Sequence, residues 1–170
     1  MTNDSFPLYL DGKTIANEND LMRHHEDGAL MNSPESVRFI VIHCTATRVT
    51  NDYTVEHLMH DHKARGFRTI GYHFYIRRNG TTTQHRRLLE VGAHARPYNR
   101  CSVGVCYEGG IDEKGRLRDT RTPQQKERLD NLVSILRQLF PNAKVVGHRD
   151  LPGTTPKLCP CFDVQREFGA

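Results

Sequence analysis

The sequence predicts an α/β fold in which a single mixed β-sheet is flanked by helices. Short apolar, β-branched runs recur along the chain, amphipathic segments of helical period separate them, and the two kinds of element alternate. With 170 residues, 36% apolar and 26% charged, the chain has enough length for one domain around one core and is not polar enough to stay disordered.

Val37–Ile42 (VRFIVI) reads as a buried strand. Thr54–Arg65 follows as a helix, with Val55, Leu58, Met59 and His62 on one face and Gly66 as a stop. Tyr72–Arg77 and Thr81–His85 read as strands joined by the Asn79-Gly80 turn. Ser102–Glu108 is a further strand, closed by Gly109-Gly110. Thr122, Pro123 and Gln125 then make a helix start: an N-cap, a proline at the first helical position and the far side of a capping box. Leu129, Leu132, Val133, Leu136 and Leu139 give that helix its apolar stripe, and Pro141 ends it. Lys144–Gly147 is the last strand, and a second short helix is expected within Phe162–Phe168.

Residues 1–36 differ from the rest, mixing Asp, Asn, Glu and Gly without sustained periodicity. They read as an N-terminal extension, either loosely packed or carrying a short strand around Leu8–Leu10, ahead of one domain over residues 37–170. The His24–His25 pair within it reads as part of a solvated loop. No stretch approaches the ~18 consecutive apolar residues of a membrane span, so no membrane partner is expected. The first ten residues lack the basic and apolar regions of a secretory signal, which predicts a cytoplasmic protein unless lysis or dedicated export releases it. A monomer is expected. The net charge of +4 favours anionic polymers in general. Without a helix-turn-helix signature or an aromatic-basic stripe, no nucleic-acid partner is expected.

Five cysteines, an odd number, do not suggest a closed disulfide framework; with ten histidines they invite a search for metal ligands. His43 ends the first strand, His148 follows the last, and Cys159 lies in the Pro-rich loop eleven positions later. Two histidines and a cysteine form an accepted set for a metal whose fourth position is left to water. Cys161, two residues beyond Cys159, is a rival for the same position. His57, His60 and His62 lack the spacing of a helical zinc motif; His62 falls on the apolar face and the other two read as solvated. Strand alternation turns Cys44 away from His43, so Cys44 reads as a core residue, as do Cys101 and Cys106.

Five segments occur in order: FIVIHCTAT (Phe39–Thr47), GYHF (Gly71–Phe74), VGAHA (Val91–Ala95), YNRCSVGVCYEGG (Tyr98–Gly110) and VGHRDLPGTTPKLCPCFD (Val146–Asp163). Together they resemble the type 2 N-acetylmuramoyl-L-alanine amidases, the group that contains phage T7 lysozyme and the peptidoglycan recognition proteins. The resemblance runs from about Val37 to Phe168, and the GGID run (Gly109–Asp112) before the Thr-Pro helix start looks closest to the phage-lysozyme branch.

The resemblance implies a T7-lysozyme-like amidase fold and zinc-dependent hydrolysis of the bond between N-acetylmuramic acid and L-alanine, with peptidoglycan or muropeptides as partners. It implies one Zn²⁺ held by His43, His148 and Cys159. The Lys157-Leu158-Cys159-Pro160 stretch selects Cys159 over Cys161, because the family pattern is lysine, one residue, ligand, proline. The same patterns mark Tyr72 and Lys157 as catalytic, and place His94 and Asn99 beside the substrate groove as substrate contacts. His73 is expected to be a buried, hydrogen-bonded histidine outside the site. With no tryptophan, apolar groove walls must come from Tyr, Phe and Leu. The alternative is a peptidoglycan- or muropeptide-binding module without catalysis. The cysteine ligand argues for the enzyme, since members that have lost catalysis commonly lose it.

Overall fold

The structure is a computed structural model that describes residues 27–154 and 158–169. Seven strands and three α-helices are formed there: β1 (Phe39–Cys44), β2 (Thr47–Arg48), α1 (Val55–Ala64), β3 (Phe74–Ile76), β4 (Thr82–Gln84), β5 (Ser102–Tyr107), β6 (Gly110–Ile111), α2 (Pro123–Leu139), β7 (Lys144–Gly147) and α3 (Val164–Phe168). Five strands make one mixed sheet in the order β4-β3-β5-β1-β7. Only the β3–β4 hairpin is antiparallel. It turns through Asn79-Gly80, with Gly80 at φ +89, a conformation glycine reaches without steric cost.

Strand alternation splits the apolar residues between two layers. Ile40, Ile42, Phe74, Ile76, Val103, Val105, Tyr107 and Val145 face α2 and pack with its Leu129, Leu132, Val133 and Leu136. The opposite face carries Val41, Val146, Tyr75 and Cys106, covered by α1 through Leu58 and by Ala95 and Leu151. β1 and β5, central in the sheet, are buried nearly end to end, as strands covered on both faces must be.

The start of α2 follows its local sequence. The Thr122 hydroxyl accepts from Gln125 N–H at 3.1 Å, and Gln125 Oε1 accepts from Thr122 N–H at 3.0 Å. The Gln125 amide also donates to the carbonyls of Ile76 and Glu108, which stitches the helix to the ends of β3 and β5. Several expected elements differ, and the first strand, expected over Val37–Ile42, runs over Phe39–Cys44. The strand expected from Tyr72 begins only at Phe74, because Gly71 is drawn against the 91–95 stretch. Ala93 N–H donates to Gly71 O at 3.0 Å, and a Cβ on Gly71 would lie 2.1 Å from Ala93 O. Gly110 does not simply close β5 but opens β6, which pairs in parallel with Thr47–Arg48.

Residues 27–36 pack on the body: Met31 is buried in the α2-side core, and Arg86, itself buried, pairs with Asp27. Leu8–Leu10 and the His24–His25 pair lie outside the described residues. No helix of the described residues is long and apolar enough to cross a membrane.

Leu132, fully buried between α2 and the sheet, tests this division. Leu132→Ala is expected to lower the unfolding free energy by about 2–5 kcal/mol. Leu117→Ala, at a side chain 44% exposed, should change it by no more than about 0.5 kcal/mol. Urea titrations followed by circular dichroism check both, and equal losses would contradict the assigned core.

Candidate metal centre and active site

The site forms where parallel strands end. β1 pairs with β7 in a register that sets Ile42 opposite Gly147, so His43 and His148 leave the sheet side by side. Their ring centroids are 4.5 Å apart. Ligands of open α/β sheets gather at this carboxyl edge because the strands fix the geometry while the following loops stay open to substrate. The loop carrying Cys159 is tied to the same edge: Arg149 N–H donates to the Cys159 carbonyl at 2.9 Å, and Cys44 N–H donates to Cys159 Sγ at 3.3 Å. One ligand atom from each of His43, His148 and Cys159 lies within 4.8 Å of the others, the one such group among the described residues.

The rival Cys161 faces elsewhere. Its Sγ lies 3.8 Å from that of Cys44, on the α2 side of the sheet. Cys44 and Cys106 are buried as expected; Cys101 is only partly covered. His57 and His60 are exposed.

The chemistry of the donor set suits a divalent ion of the zinc type. Burial pushes the His43 imidazole well below the ordinary histidine value, and neighbouring His94 adds to this; burial pushes His148 down to about 4. Both rings are thus neutral with a lone pair to offer, and the Cys159 sulfur completes a set of donors of the kind zinc takes.

These groups line a cavity of about 790 Å³. Tyr72, His94 and Asn99 lie on its wall as well, so the structure brings together every site residue read from the sequence except Lys157, which lies outside the described residues. The Tyr72 ring stands 5.0 Å from that of His43, and burial raises its phenol well above the usual tyrosine range, so it stays protonated. His62, Arg65, Phe67 and Arg96 also line the cavity. The periodicity of α1 pointed His62 inward, but nothing in the sequence marked the others. No carboxylate lines the cavity among the described residues. Asn99 and His94 are largely engaged within the protein: Asn99 Oδ1 accepts from the N–H groups of His94 and Ala95 at 3.0 and 2.9 Å. His73 is buried, accepts from Gly104 N–H at Nδ1 and donates from Nε2 to Glu90 O, as the sequence suggested.

Known proteins resemble this chain in sequence and fold. The profile of the family described as N-acetylmuramoyl-L-alanine amidase matches residues 33–162. The chain belongs to the N-acetylmuramoyl-L-alanine amidase family. This amidase is 43% identical over 132 residues to the endolysin of Enterobacteria phage K11, which covers 78% of this chain and 85% of the phage protein. It is 39% identical over 132 residues to the endolysin of Escherichia phage T7, with the same coverage. Among solved structures it is similar to the endolysin amidase LysCS from Clostridium intestinale URNW, at 29% identity and a TM-score of 0.65, over 79% of this chain and 84% of that one. The family reaction is hydrolysis of the amide between N-acetylmuramic acid and L-alanine in peptidoglycan.

Buried neutral histidines leave a thermodynamic signature in this amidase. Burial pushes His73 down to about 3 and His62 to about 4. Below the ordinary value of about 6.5 the unfolded chain takes up protons that the folded chain refuses, so stability falls as pH falls from there toward the folded values. In apo protein, the urea midpoint is expected to decline between about pH 6.5 and about pH 4.5, above most carboxylate titration. A midpoint flat across that window would contradict the neutral, buried state of these rings.

Proposed function

We propose that the chain is a zinc-dependent amidase acting on peptidoglycan or muropeptides, with His43, His148 and Cys159 holding one Zn²⁺ and Tyr72 and Lys157 completing the catalytic group. The convergence of two neutral imidazoles and a thiol at the floor of an open cavity carries this reading. Three protein ligands leave a fourth position for water or substrate, the arrangement of catalytic rather than structural zinc. When bound, the ion supplies Lewis acidity, polarising the lactoyl carbonyl and making hydroxide available near neutral pH.

The protein's own groups do the rest. Tyr72, held protonated by burial, is suited to donate rather than to accept. Beside His43 it can orient the attacking water or pass a proton to the departing amine of L-alanine. Lys157 belongs to the same loop sequence as Cys159, and its ammonium would offset the charge of the tetrahedral oxyanion. Arg65 and Arg96, on a cavity lining that holds no carboxylate among the described residues, make the groove attractive to an anionic muropeptide.

Purified peptidoglycan, digested with zinc or with a chelator and read by mass spectrometry, tests the activity. Intact stem peptides beginning at L-alanine, lost on chelation and restored by zinc, are expected; intact sacculi with protein bound to them would make the chain a binding module instead. Cys159→Ala should abolish turnover and lower zinc occupancy, whereas Cys161→Ala should leave both nearly unchanged. The reverse pattern would reassign the ligand. Lys157→Ala should keep zinc and lose about 10²–10³-fold in kcat, the cost of removing an oxyanion stabiliser, and full activity would remove Lys157 from the site.

A further inference from the structure

We propose that His94 is a positioning residue, the middle of a directed hydrogen-bond chain that fixes the tautomer and orientation of His43 and leaves His43 Nδ1 as the atom facing the metal. The inference rests on the metal reading above and extends it to the groups behind the ligands.

His43 Nε2 and His94 Nδ1 are 2.9 Å apart. Only one of two facing ring nitrogens can carry the proton between them, and the distance alone does not say which. The far end of the chain decides. Ser102 Oγ lies 2.7 Å from the carbonyl of Tyr98, and a carbonyl can only accept, so the serine proton goes there. The serine lone pairs are left for His94 Nε2, 3.4 Å away, and that nitrogen must then be the donor. A neutral imidazole carries one proton, so His94 Nδ1 is an acceptor and the shared proton sits on His43 Nε2. The lone pair of His43 is thereby left on Nδ1.

The His94 ring is also held mechanically. It lies against Gly104 of β5 so closely that a Cβ there would come within 2.7 Å of the ring. The backbone that carries it is clamped by Asn99 Oδ1, which accepts from His94 and Ala95 N–H. His73, the neighbouring buried histidine, spends both ring nitrogens on Gly104 N–H and Glu90 O, so it does not compete for His94. The two residues read from the sequence as substrate contacts thus act together, since Asn99 fixes the 94–95 backbone and His94 fixes His43. Partners of this kind make a ligating imidazole more basic and hold its ring plane, and their loss typically costs 10–100-fold in metal affinity.

The test uses the full chain, stripped with a chelator. Two-bond proton–nitrogen spectra of the histidine rings report the tautomers, and zinc titration against a chromophoric competitor reports affinity. His43 protonated on Nε2 in the apo protein is expected, together with a zinc affinity lowered about 10–100-fold in His94→Ala. His94→Asn, whose carboxamide oxygen can stand in for Nδ1, should recover much of that loss, which a purely space-filling role would not give. Should His94→Ala fail to fold, Ser102→Ala keeps the question open to measurement: removing the acceptor should release His94 from one tautomer and broaden or shift the His43 signals. His43 protonated on Nδ1 in the wild-type apo chain, or zinc affinity in folded His94→Ala within about twofold of wild type, overturns the proposal. Failure of the wild-type chain itself to bind zinc would instead overturn the metal reading, and is distinguishable because no variant is involved.

Discussion

The site depends on one register. β1 is paired in parallel with β5 on one side and β7 on the other, and these pairings set Ile42 against Gly147 and His43 against Cys106. Side chains alternate along a strand, so a slip of one residue would turn His43 into the α2-side core and away from His148. What holds the register is the burial of Ile40 and Ile42 on one face and Val41 on the other. At roughly 1.5–3 kcal/mol for each large apolar side chain fully buried, a slipped pairing that exchanged faces would lose several such contributions at once. Packing therefore fixes the chemistry before any ligand is bound.

That arrangement places imidazoles where water is scarce. Burial costs the charged form of a histidine more than the neutral form, and it is the largest cause of the depressed values of His43, His73, His94 and His148, with repulsion from neighbouring basic groups adding to it for the first three. For a ligand this is useful, because a protonated ring has no lone pair to offer. It also leaves polar nitrogens that must find partners inside the protein. Ser102, Gly104 and Glu90 supply them, so the site comes with its hydrogen-bond partners already in place.

The two faces of the sheet divide the work. Apolar contact with α2 dominates the one, with a capped helix whose Gln125 closes both its own first turn and the ends of β3 and β5. On the other, shorter apolar clusters surround a cavity lined by histidines, Tyr72 and two exposed arginines. Stability concentrated on the α2 side lets the cavity face carry buried polar groups that a packed core would exclude.

The sequence by itself determined the element types and most of their bounds. Val–Ile runs, the Asn79-Gly80 turn and the Thr122–Gln125 cap are local signals, and local physics decides them. It also singled out His43 and His148 at strand ends, and the family patterns added Tyr72, Lys157 and the preference for Cys159. Tertiary structure decided what depends on long-range pairing. The short β2–β6 ladder joins residues more than sixty positions apart, Gly71 is held by Ala93, and of Cys159 and Cys161 only Cys159 is brought to His43 and His148. The partnership of His94 with His43, across fifty-one residues, belongs to the same class. Periodicity reports which face a side chain takes, but not which strand, loop or ring will stand opposite it, and that choice was made by the packing of the whole sheet.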